Sequence, residues 1–321
     1  MWFPLLLVVL GLILLYRWHR QSQILENLSD KCVLITGCDS GFGNLLAKQL
    51  DRRGMWVLAA CLTEKGAEDL KKETSSRLQT VILDVTDSQS VSFAAKWVTN
   101  IAGDAGLWGL VNNAGYGHAL SPNEWQTKED FAKVLNINLL GMIDVTLNLL
   151  PLIRKVRGRI VNVSSAAGRI SILGGGYCIS KYGVQAFSDS LRREMRDFGV
   201  KVSIIEPGVF RTPMCMIDPV IKNLKSYWDK VPAEIKESYG EQYFQQYAES
   251  FNTLINISSP KLNRVTDCME HALTAVYPWT RYSSGWDCKL YFLPVSYLPT
   301  VLSDYLLCWS APKPAQQANK P

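Results

Sequence analysis

Apolar runs and amphipathic stretches take turns along most of the chain. C-V-L-I-T at 32–36 precedes an amphipathic pattern over 42–53, M-W-V-L-A-A-C at 55–61 precedes a helical one over about 64–73, and V-I-L-D-V at 81–85 precedes another over 88–102. The series continues with L-W-G-L-V-N-N-A-G at 107–115, a long helical pattern over about 128–155 and R-I-V-N-V at 159–163. A helix through residue 177 to about 198 and V-K-V-S-I-I-E at 200–206 complete it. Strand and helix in strict turn predict an α/β fold, a doubly wound parallel sheet with helices on both faces. Ligands of such sheets bind outside the carboxyl ends of the strands.

The two ends of the chain break this rhythm. Residues 2–16 carry no charge, and Arg17 and Arg20 follow. As a helix this run is about 22 Å long, short of a hydrocarbon core of ~30 Å, but Trp18 and the arginine stems extend it to the interface. Neither a basic start nor a small-residue cleavage site marks a secretory signal, so residues 1–20 read as a membrane anchor. The arginines after it place the remainder on the cytosolic side. From Pro213 the pattern becomes helical and rich in aromatics, with Trp228, Tyr239, Tyr243, Phe244 and Tyr247 within 218–256. A lid or substrate wall and plain helical packing fit it equally. K-L-Y-F-L-P at 289–294 reads as a seventh strand. For the apolar residues 295–309, broken by Pro299 and Asp304, lipid contact, an oligomer contact and core packing all stay open. The tail from 311 is disordered by composition. The domains expected are thus an anchor (1–20), a catalytic domain (30–292, with a substrate-binding segment at 213–288) and an apolar C-terminal segment with its tail (293–321).

Composition narrows the function classes. Charged residues at 20% and apolar ones at 47% are ordinary for a globular chain, and a net charge of +5 without a dense basic block gives no reason to expect nucleic acid. The eight cysteines lack C-x-x-C pairs, and His19, His118 and His271 stand at no ligand spacing, so neither a disulfide framework nor a metal site is expected.

Chemistry gathers in S-S-A-A-G-R-I-S-I-L-G-G-G-Y-C-I-S-K at 164–181. Tyr177 and Lys181 share a helix face, and a cation beside a phenol favours the phenolate. A phenol titrates near ~10, so poising it near neutrality takes a shift of roughly 3 units, about 4 kcal/mol. Ser164 ends the strand at 159–163, where a hydroxyl can face the tyrosine. That is the layout of a site moving a proton on or off an alcohol oxygen. Gly37, Gly41 and Gly43 form a G-x-x-x-G-x-G strand-to-helix turn, which lets the backbone approach a pyrophosphate held on the helix N-terminus.

Five motifs in order, T-G-C-D-S-G-F-G (36–43), N-N-A-G (112–115), the Ser164 strand end, Y-C-I-S-K (177–181) and P-G-V-F-R-T (207–212), resemble the short-chain dehydrogenase/reductase superfamily over roughly 30–292. A-A-C-L-T-E-K-G-A-E, G-G-G-Y-C-I-S-K-Y-G, C-M-E-H-A-L and L-P-x-S-Y-L-P, together with the anchor, resemble more narrowly the microsomal retinol and hydroxysteroid dehydrogenases. The resemblance implies a Rossmann-type domain in the endoplasmic-reticulum membrane that passes hydride from a retinol or a 3α/17β-hydroxysteroid to a nicotinamide cofactor. It implies Tyr177 as general base, Lys181 as its helper and holder of the nicotinamide ribose, and Ser164 on the reacting oxygen. Asn138, with Asn136 a near neighbour, would hold a relay water. Gly37, Ser40, Gly41, Phe42 and Gly43 would cradle the pyrophosphate, Asp84 would meet the adenine and Asn112 would lie beside the cofactor. Pro207 joins the cofactor-binding set, and Thr212 would meet the carboxamide. The family often pairs through its long helices, which leaves a homodimer open. The residues themselves favour NAD over NADP: the second strand ends in Cys61-Leu62-Thr63 without a cation, Asp39 is acidic, and Lys65 is the one basic candidate. An NADP-dependent carbonyl reductase, a catalytically idle lipid binder and, from the sequons at Asn27, Asn162 and Asn256, a secreted glycoprotein are the competing readings.

Overall fold

The computed structural model describes residues 2–117 and 120–318. Helix α1 (Trp2–Ser22) precedes the alternating part, which runs β1 (Cys32–Thr36), α2 (Gly41–Arg52), β2 (Trp56–Cys61), α3 (Glu64–Lys72), β3 (Leu78–Ile82), α4 (Ser88–Ala102) and β4 (Gly109–Asn112). Then come α5 (Lys128–Leu135), a π turn (Asn136–Gly141), α6 (Met142–Lys155), β5 (Arg159–Val163), α7 (Gly176–Glu194) and β6 (Lys201–Pro207). Helices α8 (Ile217–Lys230), α9 (Ala233–Tyr239), α10 (Glu241–Asn256) and α11 (Asn263–Thr274) lead to β7 (Arg281–Ser284). Short helices α12 (Leu293–Ser296), α13 (Thr300–Cys308) and α14 (Ala315–Ala318) end the described chain.

The strands form one parallel sheet in the order β3-β2-β1-β4-β5-β6-β7. Strands β4 and β5 are buried at every position, and β1 at every position but Cys32, because both faces are covered. Val33 and Ile35 of β1 pack on Leu50 of α2 and on Met269 and Leu273 of α11, while Leu34 between them packs into the opposite layer with Val98 of α4, Leu149 of α6 and Leu191 of α7. The strand order reverses between β1 and β4, so their carboxyl ends open a crevice. The run Lys128–Lys155 is long and apolar enough to cross a membrane by composition. It instead lays Val134, Val145, Leu149 and Ile153 into the protein core.

Four elements differ from the pattern-based expectation. The third strand is β3 at 78–82, not 81–85, because an edge strand tolerates the half-exposed Gln79 and Thr80. The fourth is only 109–112, with 113–115 forming the turn that follows it. The seventh strand is R-Y-S-S at 281–284, while 289–294 falls in a π turn (Cys288–Phe292) and the start of α12. That strand is polar because Ser283 donates to Glu206 and Arg281 to Asp189, partners supplied from inside the protein. The tail is not wholly without structure: α14 forms a turn whose Gln316 donates to Ser238 of α9, and residues 319–321 lie outside the described ones.

Helix α1 reaches Ser22, about 31 Å at 1.5 Å per residue. Its described apolar side chains, from Leu6 through Trp18, stand exposed.

Candidate active site

A cavity of about 430 Å³ opens at the carboxyl ends of the strands. Every strand from β1 to β6 delivers residues to it: Gly37 after β1, Leu62 after β2, Asp84 after β3, Asn113 to Tyr116 after β4, Ser164 and Ser165 after β5, Pro207 and Gly208 at β6. Of the glycine turn, Gly37, Ser40, Gly41 and Phe42 line it. Gly37 has φ +70° and a Cβ there would stand 2.8 Å from Ala114 Cα, so only glycine lets the two turns close. Gly43 does not reach the cavity. It lets α2 press on the Gly37 carbonyl and on Asn113 Nδ2, where any Cβ would collide. Thr212 lines the far wall with Pro207 and meets Gly41 across it.

Two residues are displaced by one position from the sequence expectation. Asn112 is buried away from the cavity, donating to Thr146 Oγ1 and Asn162 Oδ1 at 2.8 Å each, and so ties β4 to α6 and β5. Asn113 lines the cavity in its place and donates to the carbonyls of Thr36 and Gly37. Asp84 lines the cavity too, with Oδ1 held by the Thr86 amide and hydroxyl.

Likewise, the Ser164 hydroxyl does not face the tyrosine: buried, it donates to the Lys181 carbonyl at 3.0 Å. The neighbouring Ser165 hydroxyl, which accepts from the Ala167 amide, stands close enough to the Tyr177 phenol to favour its ionised form. Lys181 is buried on the Tyr177 side of α7, its Nζ 5.7 Å from the ring centroid, and it donates to the Val163 carbonyl at 2.9 Å. In the free protein the ammonium therefore does not bring the phenol below its ordinary value. Burial pushes Tyr177 above its ordinary value, Cys215 adds to that, and the Ser165 hydrogen bond opposes it. Burial also lowers Lys181 to about 8.

This depression gives a test of the free protein. Unfolded, the amine keeps its proton to ~10.4, so between about 8 and 10 the unfolded state binds more protons and stability rises with pH, by up to about 1.4 kcal/mol per unit. Urea unfolding across that window should show wild type gaining on Lys181→Met as pH rises. A pH-independent difference would refute the depressed amine.

Asn138, not Asn136, is the buried asparagine; Asn136 is exposed. The π turn delivers Asn138 to Tyr116, whose amide and carbonyl it bonds at 2.7 and 2.9 Å, and to Ser180 Oγ at 3.0 Å. It holds the loop after β4 against α7 beside Lys181.

Beyond Tyr177 lies a second cavity, of about 100 Å³ and largely apolar. Ser165, Tyr177, Gly208, Met214 and Cys215 border both spaces. Leu120, Ile172, Leu173, Val220, Leu254, Ile255, Phe251 and Phe292 also line the second, and none of these is marked by motif in the sequence. The aromatic-rich segment mostly packs on itself: Trp125 sits among Trp228, Tyr239, Tyr243 and Tyr247, ring centroids 4.7 to 6.1 Å away. Its contribution to the cavity wall is chiefly aliphatic.

The family model described as short chain dehydrogenase matches residues 31–218. The chain belongs to that family. The dehydrogenase is 60% identical to retinol dehydrogenase 7 of Rattus norvegicus over 98% of its own length and 99% of that protein's. It is 57% identical to 17-beta-hydroxysteroid dehydrogenase type 6 of Homo sapiens, with 98% and 99% covered. A short-chain dehydrogenase from Streptomyces avermitilis shares the fold with a TM-score of 0.67 at 24% identity, over 91% of this chain and 99% of that one.

Proposed function

We propose that this dehydrogenase oxidises a lipophilic alcohol, a retinol or a 3α/17β-hydroxysteroid, to the aldehyde or ketone with NAD, at the endoplasmic-reticulum membrane and with its catalytic domain on the cytosolic side. The observation behind this reading is the shared wall: one phenol and one hydroxyl, Tyr177 and Ser165, stand between the larger cavity at the strand ends and a small apolar one. The residues present fit a dinucleotide. Gly37, Ser40 and Gly41 offer backbone at the opening of α2, where a pyrophosphate is favoured by the helix N-terminus, and Lys181 is an amine buried on the same cavity wall. A bound nicotinamide supplies the hydride acceptor. Tyr177 takes the alcohol proton, Ser165 holds the reacting oxygen, and Asn138 keeps the Tyr116 loop and α7 in place around them. The apolar cavity wall excludes water from the carbon that loses hydride. The relatives named for retinol and for 17β-hydroxysteroids, at near-equal identity, support both alcohols as substrates.

The choice of NAD rests on Asp39. Its carboxylate accepts from the Leu62 amide at 2.8 Å and from the Thr63 amide and hydroxyl at 2.9 and 2.7 Å, a fixed negative charge where β2 ends and the adenosine ribose lies in such folds. Lys65, the one basic candidate, is ion-paired with Asp69. Asp39→Asn keeps an acceptor and removes the charge. It should raise kcat/KM with NADP by roughly tenfold, the release of about 1.4 kcal/mol of like-charge repulsion, and leave NAD nearly unchanged. The whole reading is tested by a panel of all-trans- and cis-retinols and 3α- and 17β-hydroxysteroids, with NAD and with NADP, scored as kcat/KM. Turnover of neither alcohol class would end it.

A further inference from the structure

The chain after β7 turns two faces to different surroundings. Its inner side packs: Phe292 borders the apolar cavity, and Phe292 and Val295 form a cluster with Ala166 and Ile170, joined by Val209, Leu293 and Leu307. Its outer side does not pack. Leu290 is 75% exposed, Tyr297 75%, Val301 80% and Trp309 72%, with Tyr305 and Leu302 also exposed between them. Contiguous apolar surface of this kind marks a contact. The segment is nevertheless firmly fixed, because Arg169 donates to the Tyr297 hydroxyl and pairs with the buried Glu206. It is not a loose end.

The occupant of this face follows from what stands at the other end of the same edge strand. The last turn of α1 and the residues after it are stitched to the chain leading into β7. Leu25 donates to the Thr274 carbonyl at 2.8 Å, Val276 to that of Gln23 at 2.9 Å, and Ile24 and Ala275 form an antiparallel bridge. His271 contacts both the Gln21 carbonyl (2.9 Å) and the Tyr282 hydroxyl (2.8 Å), and Arg20 lies 4.1 Å over the Tyr277 ring. So the exposed apolar helix α1 and the exposed C-terminal face both hang from β7 and its flanks. The composition of that face suits an interface between oil and water. Tyr291, Tyr297, Tyr305 and Trp309 have apolar bodies and polar tips, as residues at headgroup depth do. The only charged residues in 285–309 are Asp287, Lys289 and Asp304, and Asp287 is turned inward to accept from the Val209 amide.

The geometry points to a second membrane contact: residues 290–309 lie in the outer layer of the bilayer that α1 enters, and the alcohol reaches the apolar cavity from lipid, past the turn that carries Leu290 outside and Phe292 inside. This rests on reading α1 as a membrane anchor, and not on which alcohol is oxidised. With so few charges the contact is apolar, so it holds on neutral phosphatidylcholine and resists salt.

Cys308, the one exposed thiol of eight, places a reporter on this face. Full-length protein carrying bimane on Cys308, with Cys308→Ser as the labelling control, is put into phosphatidylcholine vesicles with or without brominated acyl chains. Quenching by brominated lipid, and shielding from aqueous iodide, are the expected results. Full burial of one Val-sized side chain is worth about tenfold in an equilibrium constant. A Val301→Ser/Leu302→Ser variant, still held in the vesicle by α1, should therefore lose most of the lipid quenching. It should also lose roughly tenfold in kcat/KM for a vesicle-borne alcohol while turning over a short water-soluble one as wild type does. Iodide quenching without lipid quenching would overturn the proposal. So would a signal that depends on protein concentration and not on lipid, which would assign the face to a second copy of the chain. The reporter needs no substrate, so a protein that oxidised neither retinol nor steroid would still answer this question.

Discussion

Tyr177→Phe is expected to lower kcat for alcohol oxidation by on the order of 10³-fold and to leave dinucleotide affinity nearly unchanged. The shared wall between the two cavities holds two titratable groups, the Tyr177 phenol and the Cys215 thiol. Burial pushes the thiol up, and the Thr212 hydroxyl only partly opposes that. Cys215→Ser should therefore keep kcat within a few-fold of wild type, which makes it the control for a purely steric effect. The phenol is also raised in the free protein, since its partners are a hydroxyl and an apolar wall, while Lys181 gives its proton's hydrogen bond to Val163. Ordinary base strength near neutrality thus belongs to the loaded site alone. A base works only once deprotonated, so the rate rises with pH on the acid side. That limb should lie at lower pH in kcat at saturating dinucleotide than the Tyr177 titration of the free protein, read by ultraviolet difference between wild type and Tyr177→Phe. Coincidence of the two would mean that the phenol is poised without the cofactor, contrary to the buried geometry.

The architecture was legible because the middle strands of the sheet are apolar on both faces and the helices between them on one. The same property hid the phase of the site. A strand with one wet face shows alternation, and alternation says which way each side chain points. Strands β4 and β5 are buried at every position, so nothing in G-L-V-N or R-I-V-N-V tells which of two adjacent polar residues at the carboxyl end turns toward the crevice. Asn113 takes the place in the site that the pattern assigns to Asn112, and although Ser164 lines the cavity, it is the Ser165 hydroxyl one residue further on that stands beside the phenol. The helix at 177–181 carried no such ambiguity, because a spacing of four fixes a common face whatever the burial. Edge strands failed differently: β3 and β7 carry polar residues that edge exposure or a buried charged partner accounts for, and neither cause is visible in local sequence. The wall of the small cavity was beyond reach for a third reason. Much of it is assembled from scattered apolar residues of the loop after β4, the segment after β5, α8, α10 and the turn after β7, which share no motif.

The pair of adjacent serines turns that phase question into a measurement. Ser165→Ala should lower kcat/KM for the alcohol by about 10²-fold, the usual effect of deleting one hydroxyl that holds a reacting oxygen. Its hydroxyl meets the phenol and borders both cavities, so its loss leaves the oxygen of a bound alcohol without a fixed partner beside Tyr177. The Ser164 hydroxyl instead anchors the start of the loop to the Lys181 carbonyl, with its own amide bonded to Ile205 across the sheet. Ser164→Ala should therefore cost about 1 kcal/mol of stability, one buried hydrogen bond, and change kcat/KM by no more than a few-fold. The contrast separates two mechanisms that a single variant would confuse: a positioning loss appears in the unfolding midpoint, a lost contact to the reacting oxygen appears in kcat/KM at full stability. If Ser164→Ala proved the more damaging to catalysis, the loop after β5 would have to turn over on binding its ligands, and the geometry assigned to the shared wall would belong only to the free enzyme.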